Sequence, residues 1–197
     1  MPLSLFPRTV CVFCGSRPGV SSTWLAAASA LGQGLAERGI DLVYGGGSVG
    51  LMGASAAAAM AHGGKVVGII PRDLENREKG KRDLTELHVV ESMHERKLMM
   101  AQRSDAFIVL PGGLGTLDEM FESLTWRQLR FHNKPIILAD IEGYWQPLLD
   151  LLQLIVDKGF ADTEHLSLLT IVPSVDDIFE ALASTGKHDT AFETAKV

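Results

Sequence analysis

The sequence predicts an α/β protein: one domain on a doubly wound, Rossmann-like parallel sheet with helices on both faces. Three observations carry that prediction. Short apolar runs alternate with longer helical segments, the runs are apolar at nearly every residue rather than every second one, and glycine-rich turns follow several of them. Near-continuous apolar strands belong to a sheet covered on both faces, and parallel neighbours require crossover helices. At 197 residues the chain can bury one continuous core. Residues 1–187 are assigned to that single domain and 188–197 to a frayed tail.

The elements follow in order along the chain. A first strand is expected at Thr9 to Cys14, then a helix from Ser22 to Arg38 that stops at Gly39. Asp41 to Tyr44 reads as the second strand and Leu51 to His62 as a helix closed by Gly63-Gly64, glycine being the residue that ends helices most easily. The alanine-rich stretch Ala54 to Ala61 suits a helix packed close to a sheet. Lys65 to Ile70 is the third strand. From Pro71 to Glu91 the chain is polar and lacks steady periodicity until Leu87-His88-Val89-Val90, and is read as a flap or excursion. Ser92-x-x-Glu95 is a capping box that starts a helix and puts Arg96 and Lys97 in its early turns. Ala106 to Leu110, Ile136 to Ala139 and Leu168 to Val172 complete the expected strands; between them lie helices at Thr116 to Arg130 and Tyr144 to Lys158.

Composition removes several function classes. A net charge of −6 and a pI near 5.5 argue against a broad grip on a nucleic-acid polymer, while leaving room for a local basic pocket. No apolar run reaches membrane-spanning length and the start lacks a secretory pattern, so a cytoplasmic protein with no membrane partner is expected. Cys11 and Cys14 stand in C-x-x-C spacing, but Cys11 falls inside an apolar strand and no second such pair exists; packing is the better reading. The histidines offer no H-x-x-x-H spacing. Neither a metal nor a resident cofactor is expected.

The chemistry concentrates at loops after strands, where open α/β sheets collect ligands. Three such loops are glycine-rich: Gly15-Ser16-Arg17-Pro18-Gly19, Gly45-Gly46-Gly47-Ser48-Val49-Gly50, and Pro111 to Glu119. The last joins an apolar run to Gly112-Gly113-Leu114-Gly115-Thr116-Leu117-Asp118-Glu119, a phosphate-sized turn opening a helix with a carboxylate in its second turn. Thr116-x-x-Glu119 is also capping-box spacing, which needs no ligand. No Walker-type G-x-x-x-x-G-K-[ST] occurs, and the first loop lacks the full dinucleotide fingerprint, so a mononucleotide is the better fit. Arg96 and Lys97 near a helix N-terminus oppose the helix dipole and call for an anion, a carboxylate or a substrate to compensate; Glu91 and Glu95 could also serve.

Met93-His94-Glu95-Arg96-Lys97, Pro111-Gly112-Gly113-x-Gly115-Thr116-x-x-Glu119 and Thr125-Trp126 together resemble the Lonely-Guy family of cytokinin-activating phosphoribohydrolases, over nearly the whole chain. The resemblance implies hydrolysis of the N-glycosidic bond of a cytokinin riboside 5′-monophosphate, with AMP as a further substrate, releasing free base and ribose 5-phosphate. It implies Arg96 and Glu119 as the catalytic pair. It further implies Glu78, Lys97, Gly113 to Thr116 and Thr125 as nucleotide contacts, and a homodimer or higher homo-oligomer. An N6-prenyl group would need an apolar pocket, for which Met93, Met99, Met100, Trp126 and Phe131 are candidates; at helical spacing such residues are more often core. Family members often carry a lysine decarboxylase label, which no pyridoxal-phosphate lysine motif supports here. AMP nucleosidase and a nonhydrolytic nucleotide or cofactor binder are the competing functions; the second has no evident need for Glu119.

Overall fold

The computed structural model describes residues 6–75 and 83–184. One seven-stranded, all-parallel sheet organises them, in the spatial order β4-β3-β2-β1-β5-β6-β7. The strands are β1 (Thr9–Phe13), β2 (Asp41–Tyr44), β3 (Val66–Pro71), β4 (Glu86–Val90), β5 (Ala106–Val109), β6 (Ile136–Ala139) and β7 (Leu169–Val172). The helices are α1 (Ser22–Glu37), α2 (Gly50–Ala61), α3 (Arg72–Glu75), α4 (Met93–Gln102), α5 (Leu114–Gln128), α6 (Gln146–Asp157), α7 (Thr163–Leu166) and α8 (Val175–Ser184).

Strands and main helices fall where the apolar runs and glycine stops place them, and β4, α3, α7 and α8 are additions. Glu86–Val90 is a strand paired with β3, so the Pro71 to Glu91 excursion is in part a sheet edge. Its sequence hides this because an edge strand solvates its outer face: Lys65, His88 and Arg103 gather around Glu86, and hydrogen bonds from Lys65 and His88, with the Lys65 charge next, hold its pKa down to about 2. Residues 76–82 of that segment, and the tail assigned to 188–197, lie outside the described residues.

Two apolar cores sandwich the sheet. Val10, Val12, Leu42 and Ile108 face α1, α2 and α8, whereas Cys11, Phe13, Val43, Phe107 and Val109 face α4 and α5. Strand alternation therefore sends Cys11 into one core and Cys14 into the other, which removes a C-x-x-C redox pair. The same packing claims Met100 and Trp126, with Met99 and Phe131 laid against the same core. Strand order reverses between β1 and β5, and the crevice beyond their carboxyl ends is where this topology opens.

Beneath α5, His132 is buried between the Ser123 carbonyl, which its Nε2 meets at 3.1 Å, and the Lys134 N–H, which donates to Nδ1 at 3.1 Å. An Nδ1 that accepts is unprotonated, so the imidazole is neutral. Burial, with the Lys134 charge second, pushes its pKa down to about 4. The unfolded chain therefore takes up this proton first as pH falls from the ordinary value near 6.5 toward 4. The stabilisation is present above about pH 6.5 and lost progressively across that window. Equilibrium unfolding between pH 7 and 4 should show a steeper loss of stability for the wild type than for His132→Gln.

Candidate active site

A cavity of about 580 Å³ fills the crevice at the strand-order reversal. Its walls come from the loop after β1 (Cys14 to Gly19), the turn leading into α5 and its first residues (Gly112 to Thr116), Arg96, Glu119, and an apolar side made by Trp24, Leu51, Met52 and Tyr144. The loops lock together through backbone. Gly15 N donates to the Pro111 carbonyl at 3.0 Å, and the start of α2 grips the Gly15 carbonyl through Leu51 N and Met52 N at 2.9 and 3.3 Å. Tyr144 donates its hydroxyl to the Gly112 carbonyl at 2.5 Å and packs edge-on against Trp24.

The glycine turn works differently from the capping box its spacing suggested. Gly113 is the N-cap of α5 and no side chain bonds the helix's first N–H groups, while Thr116 lies one turn inside and Glu119 further along. α1 and α4 do carry side-chain caps, Ser21 Oγ accepting from Thr23 N and Ser92 Oγ from Glu95 N, whereas α2 and α6, like α5, have none. An N-terminus without a side-chain cap, opening into a cavity, presents N–H donors and positive dipole to an anion. Gly112 has to be glycine, because a Cβ there would sit 2.1 Å from Thr116 Oγ1.

Arg96 is 4% exposed and Glu119 9%, yet they face each other across 3.9 Å, Nη1 to Oε1. The guanidinium is fixed from behind: Nε donates to the Ile69 carbonyl at 3.1 Å and Nη2 to the Gly45 carbonyl at 3.0 Å. A Cβ on Gly45 would come within 2.0 Å of Nη2. The Gly45-Gly46-Gly47 turn is buried and does not line the cavity, and its first residue leaves room for Arg96. Cys14 lines the wall as a neutral thiol, its pKa raised by burial first and the Glu119 charge second, so it is no nucleophile.

Among the expected contacts, Gly15, Ser16, Gly112, Gly113, Leu114, Gly115 and Thr116 converge on the cavity with Arg96 and Glu119. Lys97 does not. Its Nζ pairs with Asp118 Oδ2 and Glu122 Oε2, each at 3.1 Å, bracing α4 against α5; burial disfavours the ammonium, but the two carboxylates outweigh it and raise its pKa. Asp118 is thus Lys97's partner, and Leu117 packs on the core. Thr125 lies six residues beyond Glu119 in a shallow apolar groove with Phe121, Leu124 and Leu152. Glu78 lies outside the described residues. The sequence reading missed the aromatic side of the cavity, since Trp24 and Tyr144 sit in separate segments with no motif between them.

Residues 52–182 match a family model described as "Possible lysine decarboxylase". The chain is 49% identical over 171 residues to a probable cytokinin riboside 5′-monophosphate phosphoribohydrolase of Oryza sativa subsp. japonica, covering 87% of this chain and 70% of that protein. It is 44% identical over 182 residues to a cytokinin riboside 5′-monophosphate phosphoribohydrolase of Arabidopsis thaliana, covering 92% and 84%. Among solved structures, the molybdenum cofactor binding protein of Rippkaea orientalis superposes with a TM-score of 0.68 at 24% identity, over 90% of this chain and 96% of that one, which is a likeness of fold. Among the described residues no lysine lines the cavity.

Two glycines of the turn separate its structural use from its ligand use. A Cβ on Gly115 meets nothing within 4 Å, whereas one on Gly112 collides with Thr116. Gly115→Ala should raise unfolding stability by about 0.5–1 kcal/mol through helix propensity and still weaken phosphate-dependent thermal stabilisation, because the methyl enters the cavity mouth. Gly112→Ala should lower stability. Calorimetric unfolding with and without ribose 5-phosphate reads both.

Proposed function

The chain belongs to the Lonely-Guy family of cytokinin riboside 5′-monophosphate phosphoribohydrolases, and from that premise we propose how its cavity hydrolyses the N-glycosidic bond of such a nucleotide. The observation that carries the reading is the Arg96–Glu119 pair, buried and 3.9 Å apart, on the helix whose uncapped N-terminus opens into the same cavity. The 5′-phosphate sits on the first turn of α5. Glu119 follows about 1.5 Å of helix rise per residue further in, which suits the reach of a ribose from its phosphate to C1′.

In the reaction the C1′–N bond breaks with its electron pair leaving on the base, which takes up a proton. Water bonds to C1′ and loses a proton, so the net change is addition of water. Positive charge builds on the ribose ring as the base departs, as in the oxocarbenium-like state of glycoside hydrolysis. The Glu119 carboxylate stabilises that charge or accepts the proton of the incoming water. Arg96 orients Glu119 and helps hold the substrate; anchored by two backbone carbonyls, it cannot follow the substrate's movement. Trp24, Leu51, Met52 and Tyr144 provide the apolar side for an N6-isoprenoid substituent. AMP is accepted as well, because the polar groups address phosphate, sugar and bond.

Glu119→Gln keeps the shape and removes the charge. It should lower release of free base from AMP and from N6-isopentenyl-AMP by about a hundredfold or more with unchanged folding. Wild-type turnover in this variant would sink the assignment, and no base release by the wild-type protein would sink the enzymatic reading.

The reading extends to a homodimer. None of the twelve residues of α6 is buried, although the helix carries Leu148, Leu149, Leu151, Leu152, Leu154 and Ile155; Leu151 and Leu154 are each 49% exposed. Leu152 and Ile155 line an apolar groove with Phe121 and Leu124 of α5, and with the exposed Leu151 and Leu154 on the same helix they offer apolar surface of the kind that a second copy covers. Leu151→Glu combined with Leu154→Glu should shift the sedimentation coefficient toward that of a monomer.

A further inference from the structure

The phosphate cradle needs a positive charge that neither Arg96 nor Lys97 is placed to give. A phosphate monoester carries roughly −1.5 to −2 near neutral pH, and a helix N-terminus offers the equivalent of about half a positive charge. Arg96 is buried against the Ile69 and Gly45 carbonyls and faces Glu119, whose charge it offsets. Lys97 lies off the cavity and is held by Asp118 and Glu122.

Arg17 is the other cation among the described residues that line the cavity. It is exposed, and no hydrogen bond or ion pair joins its side chain to another described residue. Its backbone is fixed. Gly15, two residues before it, is bonded both to Pro111 at the end of β5 and to the start of α2. The same segment presses on Gly50, where a Cβ would lie 2.4 Å from Arg17 N. A rigid base holds a long side chain with an uncommitted guanidinium at the wall of the cavity that Gly113, Leu114, Gly115 and Thr116 also line. The planar fork of a guanidinium matches two phosphate oxygens, and an unspent one costs no broken ion pair to recruit.

We propose that Arg17 binds the 5′-phosphate of the substrate and sets the preference for nucleotide over unphosphorylated nucleoside. This rests on reading the cavity as a nucleoside 5′-monophosphate site. Ground-state binding of the phosphate is its task, and the bond-breaking step is left to Glu119.

The test compares wild type with Arg17→Ala, Arg17→Gln and Arg17→Lys, using AMP turnover, inhibition by ribose 5-phosphate and inhibition by adenosine. Arg17→Ala should raise KM for AMP and the ribose 5-phosphate inhibition constant by about tenfold each, with kcat within about twofold. Adenosine inhibition should stay at the wild-type level, since adenosine lacks the phosphate. Arg17→Lys should fall between, and Arg17→Gln replaces Arg17→Ala if the latter lowers the unfolding temperature. Unchanged KM and ribose 5-phosphate inhibition would overturn the proposal, as would equal losses for AMP and adenosine, which would mark a loop-shaping role. Calorimetric titration with ribose 5-phosphate decides the matter without turnover. If the wild type released no base, the hydrolytic reading would fail alone, and tighter ribose 5-phosphate binding by wild type than by Arg17→Ala would still support Arg17. Equal binding, or none to the wild type, would overturn it.

Discussion

Taking the Arg96 guanidinium out of water is the constraint around which the site is arranged. A buried cation without partners is untenable, and a buried ion pair gains stability only when its geometry and hydrogen bonds are good. Here the charge is met from behind by carbonyl oxygens at the ends of β2 and β3 and in front by Glu119. Each partner imposes a condition on the chain. Residue 45 cannot carry a Cβ, α4 must start where its fourth residue reaches the crevice, and α5 must present Glu119 from the opposite wall. Packing on both sheet faces then fixes these elements at a single spacing.

The neighbouring Lys97 shows how one turn of helix divides two cations between opposite tasks. Adjacent on α4, Arg96 and Lys97 point about 100° apart, so one enters the crevice and the other meets Asp118 and Glu122 on α5. Both cations tie α4 to α5, one through a buried pair and one through a half-solvated cluster. Only the first lines the cavity. That arrangement also keeps a net charge of −6 compatible with an anionic ligand, since the acidic surplus of α5 is met by Lys97 on the side away from the cavity.

Strand positions were legible because a buried parallel strand must be apolar throughout, and helix ends because glycine adopts the left-handed turn seen at Gly39, Gly63 and Gly159. β4 was not, since an edge strand satisfies its outer side with Lys65, His88 and Arg103 and looks like loop. The site was legible at the level of loops and blurred at the level of side chains. Gly45-Gly46-Gly47 has the composition of a phosphate turn, but Gly45 leaves room for the close approach of Arg96. Thr116 and Glu119 have capping spacing, but the helix begins earlier, at Gly113, where the chain leaves extended geometry. Spacing along a sequence gives which residues share a helix face; which neighbour they meet depends on the packing of distant segments.

The N-terminus of α5 turns that difference into function. A serine, threonine or aspartate at its N-cap would contribute about 1 kcal/mol to stability by bonding the first N–H groups, as Ser21 and Ser92 do for α1 and α4. Gly113 forgoes this, and Gly115 in the first turn gives up helix propensity besides. Both choices leave donors unmet in the free protein and available to a ligand. A side-chain cap would compete with that ligand for the same N–H groups, so stability of the empty site and affinity for an anion oppose each other at this turn. The rest of the structure compensates by clamping the turn from outside: Pro111 to Gly15 through backbone, and Gly112 to Tyr144 through a phenol. Rigid backbone around uncommitted donors is the preorganisation that binding a small anion requires.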